Sequence, residues 1–355
     1  MAFINPPVLK LSFTGAADIA NFSVIDNAIR NVILSIINGM AVLPNRFFVK
    51  IDANNDYFKT YYQPLGIIRV TVEKAWGFAE EAQTKTKKLF SKLTRASPDC
   101  YAKVGVGAEE SWKTSVKNNT TTPTWNETHD FVVTDFDQCI TVNVEDQDIG
   151  SDEPVGLAVT TVKEILMADG KKELGLVHNG KETDGKLSLS CQFFQFAADS
   201  SSFSDSNHKG DGLMCGLLTI LVAGAFGIKG QREELSPSVV VSWGSKHRFQ
   251  TAVKTDAPGT DINNPSFDQQ FRILVTADMV GSGAESLRIA CMDKEKEIGG
   301  VDVPFTDLLK APNMTLEDKF DVGNGTTVRA SIRLSGVKAA TMEETALPQR
   351  TKSDL

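Results

Sequence analysis

The sequence is poor in the residues from which most catalytic and metal centres are made. Its 355 residues include only 4 His and 5 Cys. His129, His178, His208 and His247 stand far apart without motif partners and are expected to be structural or surface residues. Cys100, Cys139, Cys191, Cys215 and Cys291 are odd in number, widely spaced and free of any CxxC or Cys/His pattern. That argues against a zinc framework or a disulfide scaffold and points to a reducing, cytosolic environment. No glycine-rich phosphate loop ending in Lys-Ser/Thr occurs, and no GxSxG elbow, so an enzyme is not expected. Long apolar runs are scarce too. The longest, Gly212 to Ile228, has seventeen residues with four glycines and Thr219 among them. It is short for a bilayer span and is expected to be a buried strand with its turn. Met1 to Gly15 lacks a basic stretch followed by an apolar one, so no signal peptide is expected, and the triplets at Asn118 and Asn126 read as chance sequons. Basic residues are in deficit, 37 Lys plus Arg against 45 Asp plus Glu, a net charge of -8. A general nucleic-acid binder needs a basic face, so nucleic acid is not an expected partner.

What the chain has is enough apolar residue, 41%, for a core, and a length suited to two or three domains. Residues 1–63 differ from the rest. Leu9, Leu11 and Phe13 alternate with Lys10 and Ser12, which predicts a strand. From Ser23 the period lengthens: Ile25, Ile29, Val32, Ile33, Ile36 and Met40 mark one apolar helix face, with Ser23 and Asp26 as a cap-like pair and Pro44 beyond its end. Phe47, Val49 and Ile51 predict another strand. Such an α/β piece is marginal as an independent fold.

After Pro64 the sequence becomes short alternating strands punctuated by Gly, Pro, Asn and Asp, the pattern of a β-sandwich. It also repeats. GIIRVTVEKAWGF at 66–78 matches GLLTILVAGAFGI at 216–228, and TTPTWNE at 121–127 matches NNPSFDQ at 263–269. ITVNVEDQD at 140–148 matches LRIACMDKE at 287–295, and VKEIL at 162–166 matches FTDLL at 305–309. The offsets of 150, 142, 147 and 143 confine the differences to loops. The expected division is an α/β segment at 1–63, a first copy at 64–196, a Ser/Asp/Asn-rich linker at 197–211, a second copy at 212–336 and a disordered tail at 337–355.

These blocks resemble C2 domains. The first carries, in order, Gly66-Ile67-Ile68 opening a strand, Ser97-Pro98-Asp99-Cys100-Tyr101, Pro123-Thr124-Trp125-Asn126-Glu127, and Val144-Glu145-Asp146-Gln147-Asp148 running to Gly156. PPVLKLSFTG, the helix and VLPNRFFVKI resemble the end of the SMP lipid-transfer domain of extended synaptotagmins, tricalbins and plant synaptotagmins. The resemblance reaches to about Gly336. It implies a mainly all-β fold, two tandem Greek-key β-sandwiches preceded by a partial α/β SMP-like segment. It also implies a peripheral, cytoplasmic membrane protein that binds acidic phospholipid, of the type that tethers endoplasmic reticulum to plasma membrane and transfers lipid. Dimerisation through the SMP-like segment is a further expectation it carries.

Within a C2 pattern, the acidic residues read as calcium ligands. Calcium takes six to eight oxygens, and clustered carboxylates on neighbouring loops supply them. Asp146, Asp148 and Asp152 follow one strand, Asp99 approaches from another loop, and Glu153 adds an oxygen. Against this stands the plain alternative that acidic turn residues are merely solvated. The family's early loop Asp is also replaced here by Lys-rich sequence, which weakens a cation site by repulsion. From Gln83 to Arg95 there are five basic residues and no acid: Lys85, Lys87, Lys88, Lys92 and Arg95, interleaved with Leu89, Phe90 and Leu93. Such a segment suits an anionic leaflet, and Lys103, Lys113 and Lys117 are expected to extend the basic surface along a strand, the plain alternative being ordinary solvent-facing lysines of a sheet. The second block has Ser236-Pro237-Ser238 where an Asp would be needed, and only Asp293, Glu295 and Glu297 in its shorter loop, so no calcium is expected there. Trp243 and Phe267 are expected in its core. The competing expectation is a cytosolic C2 adaptor that binds proteins without calcium.

Overall fold

The structure, a computed structural model, describes residues 1–11, 22–46, 56–78, 97–148, 152–198, 203, 213–281 and 286–340. The chain divides into two compact units. One comprises Met1–Lys50, Gln63–Gln195 and Ala339–Leu355, the other Ile51–Tyr62 and Phe196–Lys338.

The sandwich of the first unit has strands β1 (Gly66–Trp76), β2 (Cys100–Val106), β3 (Trp112–Lys113), β4 (Thr124–Val133), β5 (Cys139–Asp146), β6 (Glu153–Thr161), β7 (Lys171–His178) and β8 (Lys181–Ala197). They lie in the antiparallel orders β4-β1-β8-β7 and β6-β5-β2-β3, with β6 and β7 meeting at Leu157 and Val177. Period-two alternation decides which side chains enter the core. Ile68, Val70 and Val72 of β1 pack with Phe131 and Val133 of β4 and with Val104, Val142 and Val144 from the facing sheet. A short helix α2 (Val162–Met167) closes β6. Thr161 caps it by accepting the Glu164 N–H at 3.1 Å, and Val162 and Ile165 are its buried face.

The second unit repeats this plan. Its strands are β9 (Met214–Phe226), β10 (Pro237–Trp243), β11 (His247–Gln250), β12 (Ser266–Thr276), β13 (Leu287–Asp293), β14 (Lys296–Val303), β15 (Thr315–Gly323) and β16 (Thr326–Ala339). The orders are β12-β9-β16-β15 and β11-β10-β13-β14. After β12 comes a short helix α3 (Ala277–Gly281), and α4 (Phe305–Lys310) stands where α2 stands in the first unit. Trp243 and Phe267 are in its core as expected, Trp243 stacked on Phe305 at 5.1 Å between ring centroids. Equivalent backbone details recur. Asn126 and Asp268 both take positive φ, and Gly77 and Gly227 end β1 and β9 at φ of 79° and 75°. A Cβ at Gly77 would fall 2.4 Å from the Asp184 carbonyl oxygen and one at Gly227 2.6 Å from that of Gly325, so both the conformation and the space require glycine.

The apolar run at 212–228 is the central strand β9, buried almost throughout, and no helix among the described residues is long and apolar enough to cross a membrane. Its outer face is met by a 3-10 turn, Tyr57–Thr60, capped by Asp56. Tyr57 and Tyr61 are buried, Asp56 accepts a hydrogen bond from Arg329 at 2.8 Å, and the Arg329 guanidinium lies 4.6 Å from the Phe58 ring centre.

Helix α1 (Phe22–Ala41) forms where the longer period predicts it. Its apolar stripe does not enter a core: Ile29, Val32, Ile36 and Met40 are exposed, Val32 at 60%. The alternation at Leu9 and Leu11 gives no strand in the described part, and Val8 is exposed; alternation without a neighbouring strand cannot fix a sheet. The strand expected at Phe47, Val49 and Ile51 lies outside the described residues, as do 341–355 and most of the linker.

Candidate functional site

The antiparallel register gathers the predicted acidic residues at one end of the first sandwich. Cys100 on β2 faces Asp146 on β5, and Asp146 faces Glu153 on β6. Asp99 precedes β2, and Asp152 precedes β6, so residues 53 positions apart in sequence share one rim. Three of the carboxylates accept main-chain N–H bonds. Asp146 Oδ1 accepts the Asp99 N–H at 2.7 Å, while Asp99 Oδ1 accepts the Asn119 N–H at 2.7 Å. Asp152 Oδ1 accepts the Asp148 N–H at 3.3 Å. All are hard oxygen donors of the kind calcium takes. Among the described residues, however, no three His, Cys, Asp or Glu side chains come close enough together to hold a metal ion. In the second unit Asp293 accepts the Ser236 N–H at 2.7 Å, the same bond that Asp146 makes. A carboxylate at this strand end thus has a main-chain donor to satisfy whether or not an ion is present.

Tyr101 links this rim to the outer face of the sheet. Its single hydroxyl proton stands between two acceptors, Asp152 Oδ2 at 2.6 Å and Glu145. Burial and these two acceptors push the phenol far above its usual range, so it remains a donor. The bond from Tyr101, then the Asp148 N–H and the nearby Lys113 charge, hold Asp152 below the usual carboxylate range. Lys113 completes the group: its ammonium sits 3.3 Å from the Tyr101 ring centre and 4.0 Å from Asp152 Oδ2.

Lys113 pairs directly with Lys103 across β3 and β2, and the row continues through Asn143 on β5 and Leu157 on β6 to Val177 on β7. Both lysines are exposed, and so are Leu157, Val159 and Val177. One outer face therefore carries two ammonium groups at one side and three aliphatic side chains at the other. The aliphatic part is absent from the expectations, although Val155, Leu157 and Val159 recur at every second position. The predicted Lys85, Lys87, Lys88, Leu89, Phe90, Lys92 and Arg95 lie outside the described residues.

The equivalent face of the second unit has different chemistry. Val240 stands where Lys103 does, paired with Ala290, and Met292 follows on the same strand. These three are buried and form a small apolar cluster separate from the core. On the neighbouring strand β14, Glu297 and Asp302 are held by Arg288, at 2.5 Å and 3.0 Å.

Two eight-stranded sandwiches of this order define a tandem C2 protein, and the C2 domain model matches residues 66–177 and 216–319, so the chain belongs to the C2 domain family. Its relatives are the extended synaptotagmins and a plant synaptotagmin. Human extended synaptotagmin-2 is 22% identical over 352 residues, covering 94% of this chain and 36% of the relative, and human extended synaptotagmin-3 is 24% identical, covering 90% and 36%. Synaptotagmin-3 of Arabidopsis thaliana is 23% identical, covering 67% and 48%. The chain thus spans little more than a third of the extended synaptotagmins it matches. Among solved structures, the SMP-C2A-C2B domains of extended synaptotagmin 2 superpose with a TM-score of 0.63 at 20% identity, covering 96% of this chain and 71% of that one. The calcium-bound C2A and C2B domains of the same protein give 0.63 at 20%, covering 79% and 100%.

Proposed function

We propose that this protein binds acidic phospholipid membranes as a peripheral protein, through the outer face of the first C2 domain. The observation that carries the reading is the row from Lys113 and Lys103 to Leu157 and Val177, which offers cations to headgroups beside aliphatic side chains that tolerate a lipid surface. The basic segment with Lys85, Lys87, Lys88, Leu89, Phe90, Lys92 and Arg95 supplies further attraction. Calcium belongs to the same proposal. Asp99, Asp146, Asp148, Asp152 and Glu153 are the oxygens it would draw on, and Asp152 would have to leave Tyr101 to take part. Kinship with extended synaptotagmins supports a tether at contacts between endoplasmic reticulum and plasma membrane, with lipid transfer as the activity of a longer assembly and dimerisation through residues 1–63.

Sedimentation with vesicles of phosphatidylcholine and phosphatidylserine, in calcium and in chelator, tests this. Each free basic residue near an anionic leaflet contributes about 1 kcal/mol, so Lys103→Ala with Lys113→Ala should weaken binding by about 1 kcal/mol, most of it from Lys103 because Lys113 is already paired with Asp152, and added salt should weaken it further. Wild type that stays in the supernatant under both conditions would refute the proposal. A second reading, a C2 adaptor that binds a protein, is favoured by the exposed stripe of α1. It predicts wild type in the supernatant throughout.

A further inference from the structure

The contacts of Lys113 differ from those of its cross-strand neighbour. Lys103 makes no ion pair among the described residues. Lys113 is held twice, by the Tyr101 ring beneath its ammonium and by the Asp152 carboxylate 4.0 Å away. Asp152 is itself fixed, because Tyr101 donates to one of its oxygens and the Asp148 N–H to the other. A carboxylate beside an ammonium is what a phosphate would otherwise provide, so the chain places its own anion at a lysine of the cationic face. We propose that Asp152 acts as an internal competitor of anionic phosphate ligands at Lys113, restraining the face until it is neutralised or drawn away. This rests on the membrane-binding reading for its destination, though not for the competition itself. The ligand chemistry is phosphate, borne either by a lipid headgroup or by a soluble compound.

The consequence runs against a simple ion-ligand role for Asp152. In chelator, loss of a calcium ligand should change nothing, whereas loss of a competitor should strengthen anion binding. Asp152→Asn removes the charge and keeps the shape, and Tyr101 retains Glu145 as acceptor, so the strand end has what it needs to stay folded. In chelator, Asp152→Asn is expected to bind phosphatidylserine vesicles about fivefold more tightly than wild type, the value of one released basic residue at an anionic leaflet. Asp152→Asn with Lys113→Ala should bind no better than Lys113→Ala alone. Asp169→Asn, the same charge change in an exposed turn outside this network, should give no comparable gain. Titration with inositol hexakisphosphate repeats the series without a membrane. A gain with both probes assigns the effect to phosphate as such, and a gain with vesicles alone assigns it to the lipid surface. A gain confined to the soluble probe, with neither protein sedimenting, keeps the competition and removes the membrane as its destination. The proposal is overturned if Asp152→Asn shows no gain with either probe, if the gain survives Lys113→Ala, or if Asp169→Asn reproduces it.

Discussion

Arg69 on β1 grips Asp130 on β4 with both arms of its guanidinium, at 2.9 and 3.0 Å, while stacking over Phe194 at 4.7 Å. Both side chains are largely buried. Removing one member of such a pair leaves a charge without compensation, so Arg69→Ala should cost about 3–5 kcal/mol. The check is guanidinium unfolding followed by tryptophan fluorescence, in which the transition of the first C2 domain should move to lower denaturant. The cysteines behave differently. Burial, helped by the charges of Asp146 and Asp99, pushes the Cys100 thiol up to about 12; burial alone does the same for Cys191, and burial with Asp293 brings Cys291 to about 11. These three should resist a disulfide reagent at mildly alkaline pH until the protein is unfolded, as a time course of labelling by mass spectrometry would record. At this scale the sequence reveals residue type but not duty. The spacing of Asp99 and Asp146 marks them as oxygen donors; it cannot show that each also satisfies a main-chain N–H, because the donors come from distant strands.

Among elements, periodicity predicts what forms better than where it faces. The three- and four-residue steps in α1 are enough for the helix, yet the period only distinguishes one face from the other and says nothing about what lies opposite, and the apolar stripe is exposed. The run at 212–228 is legible as a strand because its glycines spoil a helix, and its two-sided burial follows from its central place between β12 and β16. No pattern announces the 3-10 turn at Tyr57–Thr60. Its hold depends on Asp56: burial raises that carboxyl, but the hydrogen bond and charge of Arg329 outweigh this and leave it lowered. A lowered folded pKa contributes stability above the ordinary carboxylate range and loses it as pH falls through the folded value. Arg329→Ala should therefore loosen the turn at neutral pH, and trypsin should cut after Lys59 faster in the variant than in wild type.

For the whole molecule, the fold is legible because the repeat is written in apolar positions, and those are what two copies of a sandwich must share. The faces are free to diverge, and they have: Lys103 against Val240, Glu145 against Met292. The net charge of -8 averages over that divergence. It describes neither the cationic face nor the acidic rim, since attraction to a surface is set by charges within a Debye length of it.

The clasp between Asp56 and Arg329 also has a temporal side. The two residues are 273 positions apart, with the entire first sandwich encoded between them. During synthesis, Tyr57 and Tyr61 leave the ribosome long before β9 and β16 exist to bury them, and the first sandwich can close while they wait. Joining ends so distant costs little more entropy than a loop of half that length, because the cost rises only with the logarithm. The second C2 domain is thus assembled from a fragment made early and a body made late, and its last contacts depend on β16 having been made.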